Sequence, residues 1–184
     1  MRPIEREAMK LWKTHKREVL LDRKPRLAVE KRQVELPDGS QHEDWLWLDA
    51  PEYAVVTAVD ANGRFVTLEQ HPYAARGPLP APVEGLLRAG EEPADAAKRL
   101  LLQQAGYCSP DWVFLGDFIT DAESGYGRGY YFLARLAVPS AEGADPRVRL
   151  LSREELQDAV FEGQPRVLTW QTAFSLALLR LFLL

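Results

Sequence analysis

The chain has 184 residues, a formal net charge of −4, and 46% hydrophobic against 27% charged residues. That is the length and balance of a soluble globular domain; it excludes a disordered or fibrous chain, and the acidic total argues against a nucleic-acid binder. The one cysteine, Cys108, can form no internal disulfide, so the fold is expected to rest on a packed core, with Cys108 a semi-buried structural thiol in a reducing cytoplasm.

Residues 1–50 read as an annex built from a helix and a β-hairpin, and residues 51–184 as the main domain. The basic run KLWKTHKREVLLDRKPRLAVEKR (10–32) reads as a solvated face, and the N-terminus is too charged for a secretory signal. LAVEKRQVEL and QHEDWLWLD flank Pro-Asp-Gly-Ser, a hairpin signal. There Trp45 and Trp47 alternate with Leu46 and Leu48, which places both indoles on one strand face. EYAVVTAV and RFVTLEQ flank Asp60-Ala61-Asn62-Gly63, where Asn-Gly is the strongest short turn signal. From Pro72 to Gly90 the chain is rich in proline, glycine and alanine, which predicts loop with at most one short strand.

A helix is predicted over 93–105. Pro93 suits its first position, Glu91, Glu92 and Asp95 favour its positive end, and Gly106 stops it. WVFLGDFIT, GYYFLARLAV and RVRLL read as strands, and SREELQDAVFEG as a helix with a Ser152/Glu155 capping box. The last segment, VLTWQTAFSLALLRLFLL, contains Gln171 and Arg180 and falls short of the ~20 apolar residues of a membrane span. It reads as a buried or dimer-covered helix. His15, His42 and His71 are too scattered to form a metal site.

In GLLRAGEEPADAAKRLLLQQAGY, residues Gly85, Glu91, Arg99, Leu101, Gly106 and Tyr107 stand at fixed spacings. This resembles the box of the Nudix hydrolases: glycine, five residues, glutamate, seven residues, then Arg-Glu-apolar-any-Glu-Glu-any-Gly-apolar. The element order resembles the branch that cleaves ADP-ribose and other nucleoside diphosphate sugars. The resemblance, from about residue 27 to the end, implies a Nudix α/β/α sandwich of mixed sheet with an N-terminal β annex. It also implies that Gly85 and Gly106 permit the loop and the helix exit, while Arg99 and Glu91 brace the loop–helix unit.

The departures fall on the chemistry. Leu100, Gln103 and Gln104 stand where the resemblance expects three glutamates. Positions i, i+3 and i+4 share one helix face, where carboxylates can hold Mg²⁺ against substrate phosphates. Leucine offers no ligand, and the glutamines offer only neutral oxygens. No metal is therefore expected, and restoring the three glutamates is expected to create metal affinity at some cost in stability.

Other carboxylates are candidates to replace them: Glu84, Asp117, Asp121, Glu123 and Glu142, with Glu142 the positional candidate for a late-loop general base and Glu84 the second choice. Arg76, Arg128 and Tyr126 on glycine-containing loops, together with Trp45, are candidates to grip phosphate or stack on a base. Trp45 and Trp47 also read as interface packing in a homodimer joined by the 27–48 hairpin and the C-terminal helix. Three functions follow. The first is a weak nucleoside diphosphate-sugar binder or interaction protein with little hydrolysis, and the second a Mg²⁺-dependent hydrolase using loop carboxylates. The third is a purely structural module.

Overall fold

The computed structural model describes residues 11–75 and 77–182. Two compact units are present: one runs to Pro51 and takes in Ile119–Gly127, and the other comprises Glu52–Phe118 and Arg128–Leu184.

The first unit is an antiparallel sheet in the order β1 (Lys13–Arg23), β2 (Leu27–Glu35), β3 (Gln41–Asp49). The annex helix expected from the sequence has no counterpart among the described residues of 11–50; residues 13–23 are a strand, paired with β2 from Lys13↔Glu35 to Arg23↔Leu27. Their polar residues offer no apolar stripe for a helix to bury, whereas pairing along β2 satisfies the backbone over the whole run. The β2–β3 turn forms as expected. Gly39 adopts φ 89°, and Asp38 accepts from the Ser40 N–H at 2.9 Å, an Asx-type turn. Segment 119–127 lies on β3, with the Leu48 N–H donating to the Ser124 carbonyl at 2.9 Å.

The second unit is a mixed sheet of β4 (Tyr53–Asp60), β5 (Phe65–Gln70), β6 (Leu79–Ala81), β7 (Val83–Leu86), β8 (Tyr107–Cys108), β9 (Asp111–Ile119), β10 (Arg128–Pro139) and β11 (Val148–Leu151). Its spine runs β11-β5-β4-β10-β8, with β6 beside β5, β7 beside β4 and β9 beside β10. β4 and β10 run parallel, and β4 is antiparallel to β5 and β7. Helices α1 (Pro93–Leu100), α2 (Arg153–Phe161) and α3 (Leu168–Phe182) complete it. The expected sandwich of mixed sheet and helices is the observed one.

β4 is the central strand, and Ala54–Val59 are all buried, so its sequence is apolar on both faces apart from Thr57. Ala54, Val56 and Ala58 pack with Ala96, Ala97, Leu100 and Leu101 of the box segment. On the other face Val55, Tyr131 and Ala173 meet, and Val59, Phe65 and Leu133 join Leu156, Phe174 and Ala177 of α2 and α3. Burial of each large apolar side chain here contributes about 1.5–3 kcal/mol.

Three further corrections follow. The 72–90 stretch holds two short strands, β6 and β7, separated at Pro82; proline lacks the N–H a continuous ladder needs. Cys108 is exposed rather than semi-buried. The helix over 93–105 is α-helical only to Leu100 and continues as a π turn, Leu101–Ala105. The Ser152/Glu155 capping box forms as read from the sequence. Among the described residues no helix is long and apolar enough to cross a membrane.

Candidate site at the box helix

The candidate site is built on β7, the loop that follows it, α1 and the π turn. Gly85 pairs with Ala54 on the central strand, and a Cβ there would sit 2.5 Å from Leu100 Cδ2. Leu100 therefore packs directly on the Gly85 backbone. The loop is closed by a two-pronged ion pair. Arg99 Nε donates to Glu91 Oε1 at 2.6 Å, and Arg99 Nη2 donates to Oε2 at 2.7 Å. Arg99 Nη2 also reaches the Leu86 carbonyl at 3.2 Å, and the Arg88 N–H donates to Glu91 at 2.8 Å. The Arg99 guanidinium, aided by that N–H, holds the Glu91 carboxyl down at about 2. Glu91 thus stays ionised through the physiological range, and its stabilising contribution is lost only as pH falls from the ordinary carboxylate range toward that value.

The π turn decides where the remaining positions go. Leu100 is buried, Gln103 exposed and Gln104 half-buried, so the shared α-helical face expected from their spacing is divided. Gln103 Oε1 accepts from Arg99 Nη1 at 3.3 Å. Gln104 Nε2 donates to the Glu84 carbonyl at 2.6 Å, a bond a carboxylate cannot make. The donor set does not fit a Mg²⁺ ion, which takes charged oxygen ligands. Position 100 is hydrocarbon, and the two amides are neutral and engaged. Among the described residues no three His, Cys, Asp or Glu side chains are grouped to hold a metal.

At the helix exit Gly106 turns left-handed, with φ 68°. The 140–147 loop caps the freed carbonyls: Asp145 N–H donates to Ala105 O at 2.9 Å and Ser140 N–H to Gly106 O at 2.7 Å. Arg147, paired with Asp145 at 2.8 Å, adds a 3.4 Å contact to the Gln104 carbonyl. This loop carries Glu142, which is exposed in the turn where the Gly143 N–H donates to Ser140 O at 3.0 Å.

Glu84 lies elsewhere. Strand alternation sends its side chain to the face opposite the box helix, where its cross-strand partner Val55 packs with Tyr131 and Ala173. Thr169 Oγ1 of α3 donates to its carboxylate at 3.3 Å. Burial pushes the Glu84 carboxyl up, with Trp170 and Thr169 opposing. Glu84 and the box helix therefore share a strand but do not meet through side chains.

The other candidates are placed as follows. Arg128 ion-pairs with Asp117 and sits 5.8 Å from the Tyr130 ring, whose hydroxyl donates to Glu52 at 2.9 Å. The Arg128 guanidinium is thereby already engaged. In the first unit, Trp45 Nε1 donates to the Glu123 carbonyl at 2.8 Å, Asp121 is held by Ser124, and Tyr126 is exposed. Arg76 lies outside the described residues. Sequence reading missed Glu52, Tyr130, Asp145, Arg147, Thr169 and Trp170. Only the Tyr130-Tyr131 pair carried a signal, and that signal reads as strand.

No protein-family model matches the chain, and no curated protein sequence matches it. Among solved structures it is similar to the crystal structure of an "ADP compounds hydrolase", with a TM-score of 0.75 and 16% identity over 96% of this chain and 96% of that one. The likeness establishes the fold.

Proposed function

We propose that the chain binds a nucleoside diphosphate compound through a Nudix fold and hydrolyses it little or not at all. The Gln104 amide carries this reading: it donates to the Glu84 carbonyl where the resembling box places a metal-binding carboxylate. The neighbour's description as an ADP compounds hydrolase supports the choice of ligand class. Without a metal to bridge, phosphate recognition falls to side chains and backbone N–H groups, so Mg²⁺ has no part in binding. Calorimetry with ADP-ribose is expected to give the same weak affinity with Mg²⁺ and with EDTA, and phosphate-coupled turnover is expected to stay at the buffer rate. Mg²⁺-dependent turnover that disappears in Glu142→Gln would overturn this in favour of a displaced-acid hydrolase. That second reading rests on the docking of the Glu142 loop at the helix exit. Absence of binding to any nucleoside diphosphate leaves the interaction-module reading.

The proposal includes a homodimer. β1 exposes Val19 (60%) and Leu20 (51%), and α2 and α3 expose Phe161 (88%) and Phe182 (77%), apolar side chains that a second copy of the chain would cover. Light scattering at tens of micromolar, about where a standard interface holds, is expected to give twice the 20.8 kDa chain mass. A monomer there would refute the dimer.

A further inference from the structure

We propose that the groove between α2 and α3 docks the same groove of a second copy of the chain, about a two-fold axis that runs along it. This rests on the homodimer reading above and names the surface that makes the dimer. The sequence of α3 shows why a groove is there. Ala173, Phe174 and Ala177 are buried in the cores beneath the helix. Ser175, Leu178, Leu179 and Phe182, spaced i, i+3, i+4 and i+7, form a second stripe, and that stripe lines the groove together with Val160 and Phe161 of α2. The helix is thus apolar on two faces, of which its own core uses one. Phe161, Leu179 and Phe182 are left exposed, and an apolar strip rimmed by charges is the usual form of a protein–protein contact surface.

The charges choose the occupant. One residue on from the groove-lining Arg153 and Gln157, helical spacing sets Glu154 and Asp158 on the outer border of α2. One residue on from Leu179, it sets Arg180 on the outer border of α3. All three are exposed, and none enters an ion pair among the described residues. One border is acidic and the other basic, so the groove is complementary to itself.

The helix directions fix the axis. Gln171 Nε2 of α3 donates to the Val160 carbonyl of α2 at 2.8 Å, which sets the end of α2 beside the start of α3. The two helices therefore run antiparallel, and Glu154 and Arg180 lie at the same end of the groove. A two-fold contact presents one patch to its own copy. Rotation about an axis along the groove exchanges the two walls, so α2 of each copy lies on α3 of the other and Glu154 meets the partner's Arg180, once in each direction. Rotation about an axis across the groove would set α2 on α2 and bring the two acidic borders together, which like-charge repulsion disfavours. α2 and α3 pack on the sheet face opposite the box helix, so this dimer leaves the box face of each copy open.

Sedimentation equilibrium of the full chain tests the groove. Wild type is expected to be a dimer. Phe161→Asp and Leu179→Asp, each placing a charge in the apolar strip, should give folded monomers, with circular dichroism as the control for folding. Glu154→Arg and Arg180→Glu should each raise the dissociation constant about tenfold or more, and the double swap should largely restore it. The swaps lie on exposed borders away from the core, so they decide the question even where an aspartate variant unfolds. A dimer that persists in both aspartate variants overturns the groove and leaves the homodimer itself standing; a monomeric wild type overturns both. Losses that add in the double swap instead of cancelling overturn the axis along the groove.

Discussion

Leu100→Glu is expected to lower the free energy of unfolding by about 3–5 kcal/mol, the usual cost of leaving an uncompensated charge in a packed interior. Leu100 is 5% exposed within the main core and seats its Cδ2 on the Gly85 backbone. The nearest cation, Arg99, already grips Glu91 with two prongs. Leu100→Met, of similar volume, should cost less than about 1.5 kcal/mol, so the pair separates charge from shape. Gln104→Glu adds a second conflict, because it sets a carboxylate oxygen against the Glu84 carbonyl that now accepts from the amide. Placing glutamate at positions 100, 103 and 104 together therefore makes a destabilised protein before it makes a metal site. The costs will not add simply, since the residues share a neighbourhood. Urea unfolding of each variant measures them. A Leu100→Glu protein within about 1 kcal/mol of wild type would show that position 100 is free to turn outward.

Gly106→Ala carries the second large effect. Its φ of 68° strains any L side chain by about 1–2 kcal/mol. A Cβ there would also overlap the Gly143 carbonyl oxygen of the loop docked on the helix exit. The two terms together are expected to cost about 2–4 kcal/mol. Gly143→Ala is the matched control: its φ is 86°, but a Cβ there meets nothing within 4 Å, so it reports the backbone strain alone. Thermal unfolding of both should place Gly106→Ala clearly below Gly143→Ala. Hydrogen exchange in Gly106→Ala should show loss of protection at Asp145 and Ser140, whose N–H groups cap Ala105 and Gly106. Equal melting temperatures for the two variants would mean that the loop yields freely and that Glu142 rides on a mobile segment.

These two positions also mark what was legible in the sequence and what was not. The resemblance implied that Gly85, Glu91, Arg99 and Gly106 belong to one loop–helix unit, and each answers a demand set nearby in the chain: a close approach, an ion pair eight residues apart, a left-handed exit. The hairpin of β4 and β5, the Asn-Gly and Asp-Gly turns and the Ser152 capping box were equally local, and all formed as read. Periodicity failed where partners from distant sequence decide. Residues 13–23 are a strand because β2 is there to pair with them, not because their own pattern demands it. Positions 100, 103 and 104 part company because a π turn is held between the Glu84 carbonyl on one side and the 140–147 loop on the other, twenty and some forty residues away in sequence. Glu84 read as a box-proximal acid for the same reason. A strand sends adjacent side chains to opposite faces, and Glu84 lies on the face where Thr169 of α3 reaches its carboxylate. The fold class was legible in the sequence, and so was the lack of a carboxylate at positions 100, 103 and 104. The tertiary structure decided what the remaining side chains are engaged in, because burial and hydrogen-bond partnership are set by neighbours that no local pattern contains.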